Sequence, residues 1–287
     1  MKYSFIDNHC SVYRVEKMCH VLQISRSGYY AWKKRGNNGR FEENERLATS
    51  IRQIYEKSRR LYGSPRITAE LHAWGIRCGK NRVARLMRIN GIAAKTKRRF
   101  KVTTDSRHRL PVAPNLLDQR FYAAAPNSVW ASDITYIWTQ EGWLYLAAVL
   151  DIFNRQIVGW AMDRHITRGL VIDAVQMAVR QREPASGLLF HSDRGSQYAS
   201  YDFARLLEGH GFIQSMSSTG NCYDNAIVET FFHTLKTELV YFEKYRTRAE
   251  ARRSIFEYIE VFYNRIRRHS ALGYQSPVNY EKTAVAA

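Results

Sequence analysis

Residues 129–162 read VWASDITYIWTQEGWLYLAAVLDIFNRQIVGWAM, and the three extended runs in this stretch decide the fold class. Residues 129–138 alternate in polarity around Asp133, residues 143–153 are apolar on both faces, and residues 156–162 form a third run. Alternation predicts a half-buried strand, and continuous apolarity a strand covered on both sides. With a turn at Gln140-Glu141-Gly142, the runs predict an antiparallel meander. Downstream follow a helical pattern over residues 168–180, a buried strand at 188–190, a helix over 198–208 and a short strand at 212–216. The order βββαβαβα predicts an α+β core, a mixed five-stranded sheet flanked by helices.

Three carboxylates fall where such a sheet brings them together. Asp133 lies within the first strand, Asp193 just past the fourth, and Glu229, after 35 intervening residues, on the helix that follows a polar loop. If the first strand is central and the fourth parallel beside it, both aspartates emerge at one edge and Glu229 closes the site. Oxygen ligands of this kind hold Mg²⁺ or Mn²⁺, and two such ions can clamp the attacking and leaving oxygens of a phosphoryl displacement. That chemistry cuts and joins nucleic acid strands.

Upstream of the sheet the composition changes. The chain has 287 residues and a formal charge of +18; residues 1–126 carry 27 basic and 9 acidic side chains, and residues 127–287 carry 17 of each. A globular half with that excess implies a polyanionic partner. Residues 11–34 predict a small helix-turn-helix, with a helix over 12–21, Ser25 as N-cap of a second helix, and Gly28 loosening it. Residues 41–57 predict a longer helix, and Tyr62-Gly63-Ser64-Pro65 starts another, in which Ile67, Leu71 and Trp74 form a stripe. A third helix over 81–90 turns Val83, Leu86 and Met87 inward. Its outward face carries Lys80, Arg82, Arg85 and Arg88, with Lys95, Lys97, Arg98 and Arg99 beyond; residues 51–100 hold 14 basic and 2 acidic side chains. Such a face reads as a DNA-binding three-helix unit, the other reading being a solvated face of a helical adaptor. Residues 95–126 read as a basic, partly extended linker.

The contexts WASDITYI around Asp133, FHSDRGSQY around Asp193 and NCYDNAIVETFFHTLKTEL around Glu229 complete a pattern. Together with the 35-residue spacing, the basic block ahead of the core and the tail HSALGYQSPVNYEK, they resemble the DDE transposases of bacterial insertion sequences. The likeness is to the second-frame product of insertion element family three, within the retroviral-integrase superfamily. The resemblance implies an RNase H-like catalytic core preceded by all-α helix-turn-helix segments. It implies Asp133, Asp193 and Glu229 as ligands of two Mg²⁺ or Mn²⁺ ions, and Lys236, seven residues after Glu229, as a DNA contact near the cleaved end. It implies that water frees a 3′-OH at an element end and that this 3′-OH attacks another strand, with no covalent protein–DNA intermediate. Its partners would be terminal inverted repeats, target DNA, further copies of the chain on paired ends, and an upstream reading-frame product, free or fused. The alternatives are a nuclease that cuts without joining and a non-catalytic DNA-binding regulator.

On this reading the chain divides into a helix-turn-helix segment at 1–38, a basic three-helix domain at 41–94, a linker at 95–126, a core at 127–242 and a helical extension at 243–287. His191, two residues before Asp193, is either a contact at the metal site or scissile phosphate, or a packed strand-end histidine. Asp224-Asn225 reads as the N-cap of the Glu229 helix, with DNA contact as the second reading, and Asp151 as a turn residue. Residues 248–268 predict one helix with Ile255, Phe256, Ile259 and Phe262 inward, and its basic end Asn264 to His269 either tracks phosphates or is an ordinary solvated terminus. Four cysteines without a C-x-x-C pair give no disulfide framework. With no long apolar run and no export signal, a cytoplasmic, nucleoid-associated bacterial protein without membrane contact is expected.

Overall fold

The computed structural model describes residues 2–34, 39–95, 112–218 and 222–286. The chain opens with α1 (Lys2–His9), α2 (Val15–Val21) and α3 (Arg26–Lys34). The sequence reading missed α1, which buries Ile6 and little else and so carries almost no periodic signal. Ser25 caps α3, its Oγ accepting from the Gly28 N–H at 3.0 Å. At Gly28 a Cβ would stand 2.5 Å from the Tyr3 hydroxyl and 2.7 Å from Ser25 Oγ, so a side chain there would make both shift. Ile6, Met18, Cys19 and Tyr29 form a small core of their own.

The next unit comprises α4 (Gly39–Lys57), α5 (Ser64–Ala73) and α6 (Lys80–Ile89). Pro65 sits in the first turn of α5, where its missing N–H costs nothing. Leu47, Ile51 and Ile54 of α4 fill the interior together with Ile67, Leu71, Val83, Leu86 and Met87, the last five as predicted. Trp74 does not extend the stripe; it lies exposed just past α5, with the Lys57 ammonium 5.2 Å from its ring centroid.

The sheet is built from β1 (Val129–Thr139), β2 (Gly142–Asp151) and β3 (Ile157–Asp163). Then come α7 (Arg168–Arg182), β4 (Leu189–Ser192), α8 (Tyr201–Gly209), β5 (Ile213–Met216) and α9 (Ala226–Glu238). The strand order is β3-β2-β1-β4-β5. β1 pairs antiparallel with β2 and parallel with β4, so the central position expected for β1 is the one it takes. This mixed sheet, with helices on both faces, is the RNase H-like arrangement. Trp130, Val149, Val171, Phe190 and Phe203 pack between the sheet and α7 and α8, while Ile137, Leu146, Val228 and Leu235 pack beneath α9. Gly159 of β3 has no room for a side chain, because a Cβ would meet the Ala174 carbonyl at 2.3 Å; α7 therefore lies tight on the sheet.

Beyond the core, α10 (Arg248–Glu257) runs into a π-helical stretch, Tyr258–Tyr263, and α11 (Pro277–Val285) closes the described chain. The single helix predicted over 248–268 thus changes to π-helical winding from Tyr258 and ends at Tyr263; Ile255, Ile259 and Phe262 are buried, while Phe256, about 100° round from Ile255, is 48% exposed and not inward as predicted. The described part of the predicted linker is not free: the Leu116 N–H donates to Ser215 Oγ at 2.9 Å, and Leu117 is buried. The three-helix unit, α9 and the C-terminal segment share one hydrophobic cluster.

Candidate active site

β1 and β4 pair from Val129 with Leu189 to Ser132 with Ser192, and then part. The next residue on each chain is an aspartate, Asp133 and Asp193, so two carboxylates stand side by side where the parallel strands separate. A crevice between diverging strands at their carboxyl ends is the usual ligand position of such sheets. The Ile134 N–H donates to Asp133 at 2.7 Å and the Gly195 N–H to Asp193 at 2.9 Å, which fixes both side chains. Glu229 reaches the crevice from the first turn of α9.

The three carboxylates feel one another. Burial, then Asp193, then Glu229 push Asp133 well above the ordinary carboxylate range, against the Ile134 N–H and the Lys236 ammonium. Partial desolvation and Asp193 also raise Glu229. As the side chains stand, no three His, Cys, Asp or Glu among the described residues are gathered closely enough to hold a metal ion. The donor set nonetheless fits one: hard oxygen ligands from three separate elements, whose mutual repulsion a divalent cation offsets. Lys236 shares the Glu229 face of α9, its Nζ 4.8 Å from the centroid of the Tyr136 ring. Burial lowers its pKa and Asp133 opposes the shift, so the ammonium looks into the same crevice.

Other sequence-derived candidates fall elsewhere. His191 is fully buried, its Nδ1 2.9 Å from Ser215 Oγ, and burial pushes its pKa down to about 4; it is the packed histidine and not a DNA contact. Asp224 is not a helix cap. It accepts from Asn115 Nδ2 at 2.9 Å, Gln119 Nε2 at 3.0 Å and the Ser218 N–H at 2.7 Å, tying residues 115–119 to the strand-end loop. Asn225 occupies the N-cap position of α9 without a capping bond. Asp151 accepts from the N–H groups of Asn127 and Phe153, which makes it the turn residue expected.

The basic surfaces also divide. Lys80, Arg85 and Arg88 are exposed on α6. Arg82 turns inward to Glu43 at 2.8 Å and Asn44 at 2.9 Å, bracing α6 against α4, so its place among the DNA contacts is withdrawn. Lys97, Arg98 and Arg99 lie outside the described residues. Two arginines of the basic end at 264–269 fit neither reading: Arg267 is 6% exposed and bonds Glu238 twice, at 2.7 and 2.8 Å, and Arg268 pairs with Glu70 of α5, while Arg265 is exposed. Sequence reasoning scored these arginines by sign and missed their partners. It also missed Tyr198, quoted within FHSDRGSQY but given no role, whose buried hydroxyl lies 2.8 Å from Ser132 Oγ.

Family models for an integrase core domain match residues 123–222 and 229–284, and one for an HTH-like domain matches residues 42–100. The chain is 42% identical to transposase InsF for insertion sequence IS3A of Escherichia coli K12, over 100% of both chains. The chain belongs to the IS3 transposase family. A second relative, the insertion element IS600 uncharacterized 31 kDa protein of Shigella sonnei, is 47% identical over 92% of this chain and 97% of its own length. Among solved structures, a simian T-cell lymphotropic virus intasome in complex with PP2A regulatory subunit B56 gamma is 14% identical, covering 80% of this chain and 74% of that one at a TM-score of 0.48. As a DDE-type transposase of this family, the protein is an enzyme of the transposase/integrase class. No helix among the described residues is long and apolar enough to cross a membrane.

Proposed function

We propose that this transposase cuts the ends of its insertion element and transfers the freed 3′-OH strand to target DNA, with Asp133, Asp193 and Glu229 holding two Mg²⁺ or Mn²⁺ ions. The observation that carries this reading is the self-repelling carboxylate set at the parting of β1 and β4. When bound, the ions would supply Lewis-acid activation of the attacking oxygen and charge neutralisation at the scissile phosphate. Asp133 and Asp193, oriented by the Ile134 and Gly195 N–H groups, present their oxygens from the rigid sheet edge. Glu229 approaches from α9, and Lys236 on the same face offers an ammonium to a phosphate oxygen near the DNA end. In the first step the water oxygen bonds phosphorus as the bond to the 3′ oxygen breaks, and the 3′ oxygen leaves as a hydroxyl. In the second that hydroxyl displaces a 3′ oxygen of target DNA.

The exposed Lys80, Arg85 and Arg88 of α6, with Lys97, Arg98 and Arg99 beyond, would contact the backbone of the terminal repeats. Pairing of two ends calls for several copies of the chain, and an upstream reading-frame product, free or fused, would complete end recognition in the cytoplasm at the nucleoid. The test is a cleavage and strand-transfer assay on a labelled element-end duplex with Mg²⁺ or Mn²⁺. Wild type is expected to cut and join, and Asp193→Asn and Glu229→Gln to bind without cutting. DNA bound and never cut with either metal would leave either a regulator or a chain inert without its fused partner, which the same assay on the fused product separates, and cutting without joining would leave a nuclease.

A further inference from the structure

Ser132 adjoins Asp133 and is fully buried. Its hydroxyl shares a 2.8 Å hydrogen bond with the Tyr198 hydroxyl, and its carbonyl accepts from Asn225 Nδ2 at 3.2 Å. Tyr198 lies five residues past Asp193 on the loop that carries it, and its backbone is held there by the Gly195 carbonyl and by Gln214, each at 3.0 Å. Asn225 stands four residues, one helical turn, before Glu229. One residue beside the first carboxylate therefore touches both elements that carry the other two.

The arrangement is costly unless it does something. An Ala and a Phe would fill the space of Ser132 and Tyr198 without burying two hydroxyls. Asn225 forgoes a capping bond, and its Oδ1 is buried with no hydrogen-bond partner among the described residues while its Nδ2 reaches Ser132. Polar groups retained in this way fix one arrangement among several that apolar packing would tolerate. Here the arrangement fixed is the relative placement of β1, the Asp193 loop and α9.

We propose that Ser132, Tyr198 and Asn225 are positioning residues that set the spacing of Asp133, Asp193 and Glu229 for a divalent cation, an inference that rests on the function proposed above. None of the three touches the ion or the DNA; each acts through the element it ties. Ser132 is the hub, because it alone bonds both partners.

The test uses the full chain, with Mn²⁺ as the probe. Calorimetric titration is expected to show Mn²⁺ affinity weakened by ~10- to 100-fold in Tyr198→Phe and in Asn225→Ala, as for other groups that orient metal ligands. Melting temperature should fall by a few degrees, the cost of stranding one buried partner, while binding of the element-end duplex stays close to wild type. Cleavage should fall at low Mn²⁺ and recover at saturating Mn²⁺, a rescue that a general loss of stability does not give. The double variant Ser132→Ala/Tyr198→Phe should be no worse than either single one, since both remove one bond, whereas Tyr198→Phe/Asn225→Ala should exceed both. Should Asn225→Ala fail to fold, Ser132→Ala and Tyr198→Phe, each short of one oxygen atom, carry the test. Unmoved Mn²⁺ affinity in folded variants of an active wild type overturns this inference alone; a wild type that neither binds Mn²⁺ nor cuts DNA overturns the proposed function with it.

Discussion

Helix α9 has a cluster of charged groups near each end, and the two are built on opposite plans. Around its first turn Glu229 faces Asp133 and Asp193, all of one sign, and burial and mutual repulsion hold Asp133 well above its ordinary pKa. At its last residue Glu238, nine positions on and so on about the opposite side of the helix, meets Arg267 at 2.7 and 2.8 Å, the Tyr258 hydroxyl at 2.8 Å and Arg66 at 3.5 Å. There burial pushes the carboxylate up, but the hydrogen bonds and charge of Arg267 win and its pKa is lowered. A cluster in which a carboxylate meets arginines is scaffold; a cluster of carboxylates facing one another is what the cations of the proposed function would neutralise.

The largest effect expected from breaking this contrast is at the matched end. Arg267→Ala would leave Glu238, whose side chain is 10% exposed, without its main partner. The expected loss is about 3–5 kcal/mol of unfolding free energy in a urea titration, the usual cost of stranding one member of a buried pair. A loss below about 1 kcal/mol would mean that the cluster does not hold α9 to the C-terminal segment.

At the unmatched end the sign should reverse. Asp133→Asn removes one of three like charges, so the metal-free variant is expected to melt a few degrees above wild type while strand cleavage is abolished. Equal or lower melting temperature would show that the repulsion is already relieved in the free protein. Acid should separate the clusters too. Glu238 lies below its ordinary 4.5 in the folded chain, so its stabilisation is complete above that pH and fades as pH falls through the folded value. Asp133 lies above its ordinary 3.8, so its proton-linked stabilisation is complete below that pH and is lost as pH rises through the folded value. Melting curves without metal between about pH 3 and 7 should therefore show wild type losing its advantage over Glu238→Gln in acid. Over the same range Asp133→Asn should gain on wild type with rising pH.

The same contrast explains what the sequence disclosed. The strands at 129–139 and 142–151 were legible because periodicity is local, and the meeting of Asp133 and Asp193 because each aspartate sits on or just past its own strand. The matched cluster was not legible, since Glu238 and Arg267 are 29 residues apart and Glu238 and Arg66 are 172 apart. Read by sign alone, Arg267 and Arg268 fit either phosphate contacts or an ordinary solvated helix end. Ser132 and Tyr198 passed unnoticed for a related reason: a hydroxyl in an apolar run signals nothing until its partner, 66 residues away, is placed beside it. Asn225 was assigned to the nearest plausible bond, a helix cap, while its actual acceptor is 93 residues upstream.

The smallest effect should come from Arg66, the one member of the matched cluster contributed by the three-helix unit. Its guanidinium is 25% exposed and 3.5 Å from Glu238, and burial together with Arg267 lowers its pKa, so it gains less than Arg267 does. Arg66→Ala should therefore cost about 1 kcal/mol or less. The unit has other anchors on the C-terminal segment: the Tyr62 hydroxyl, which donates to the Ile266 carbonyl at 3.2 Å and accepts from the Arg268 N–H at 2.8 Å, and Arg59 with Glu257 at 2.6 Å. Tyr62→Phe should loosen the unit more than Arg66→Ala, because it removes two part-buried hydrogen bonds at once, one to a carbonyl and one from an N–H. Amide hydrogen exchange over α4 to α6 reads this directly, protection falling more in Tyr62→Phe than in Arg66→Ala. The reverse order would make Arg66 the main tie between the DNA-reading helices and the catalytic helix, and would move the three-helix unit from a docked neighbour of α9 to a part of its support.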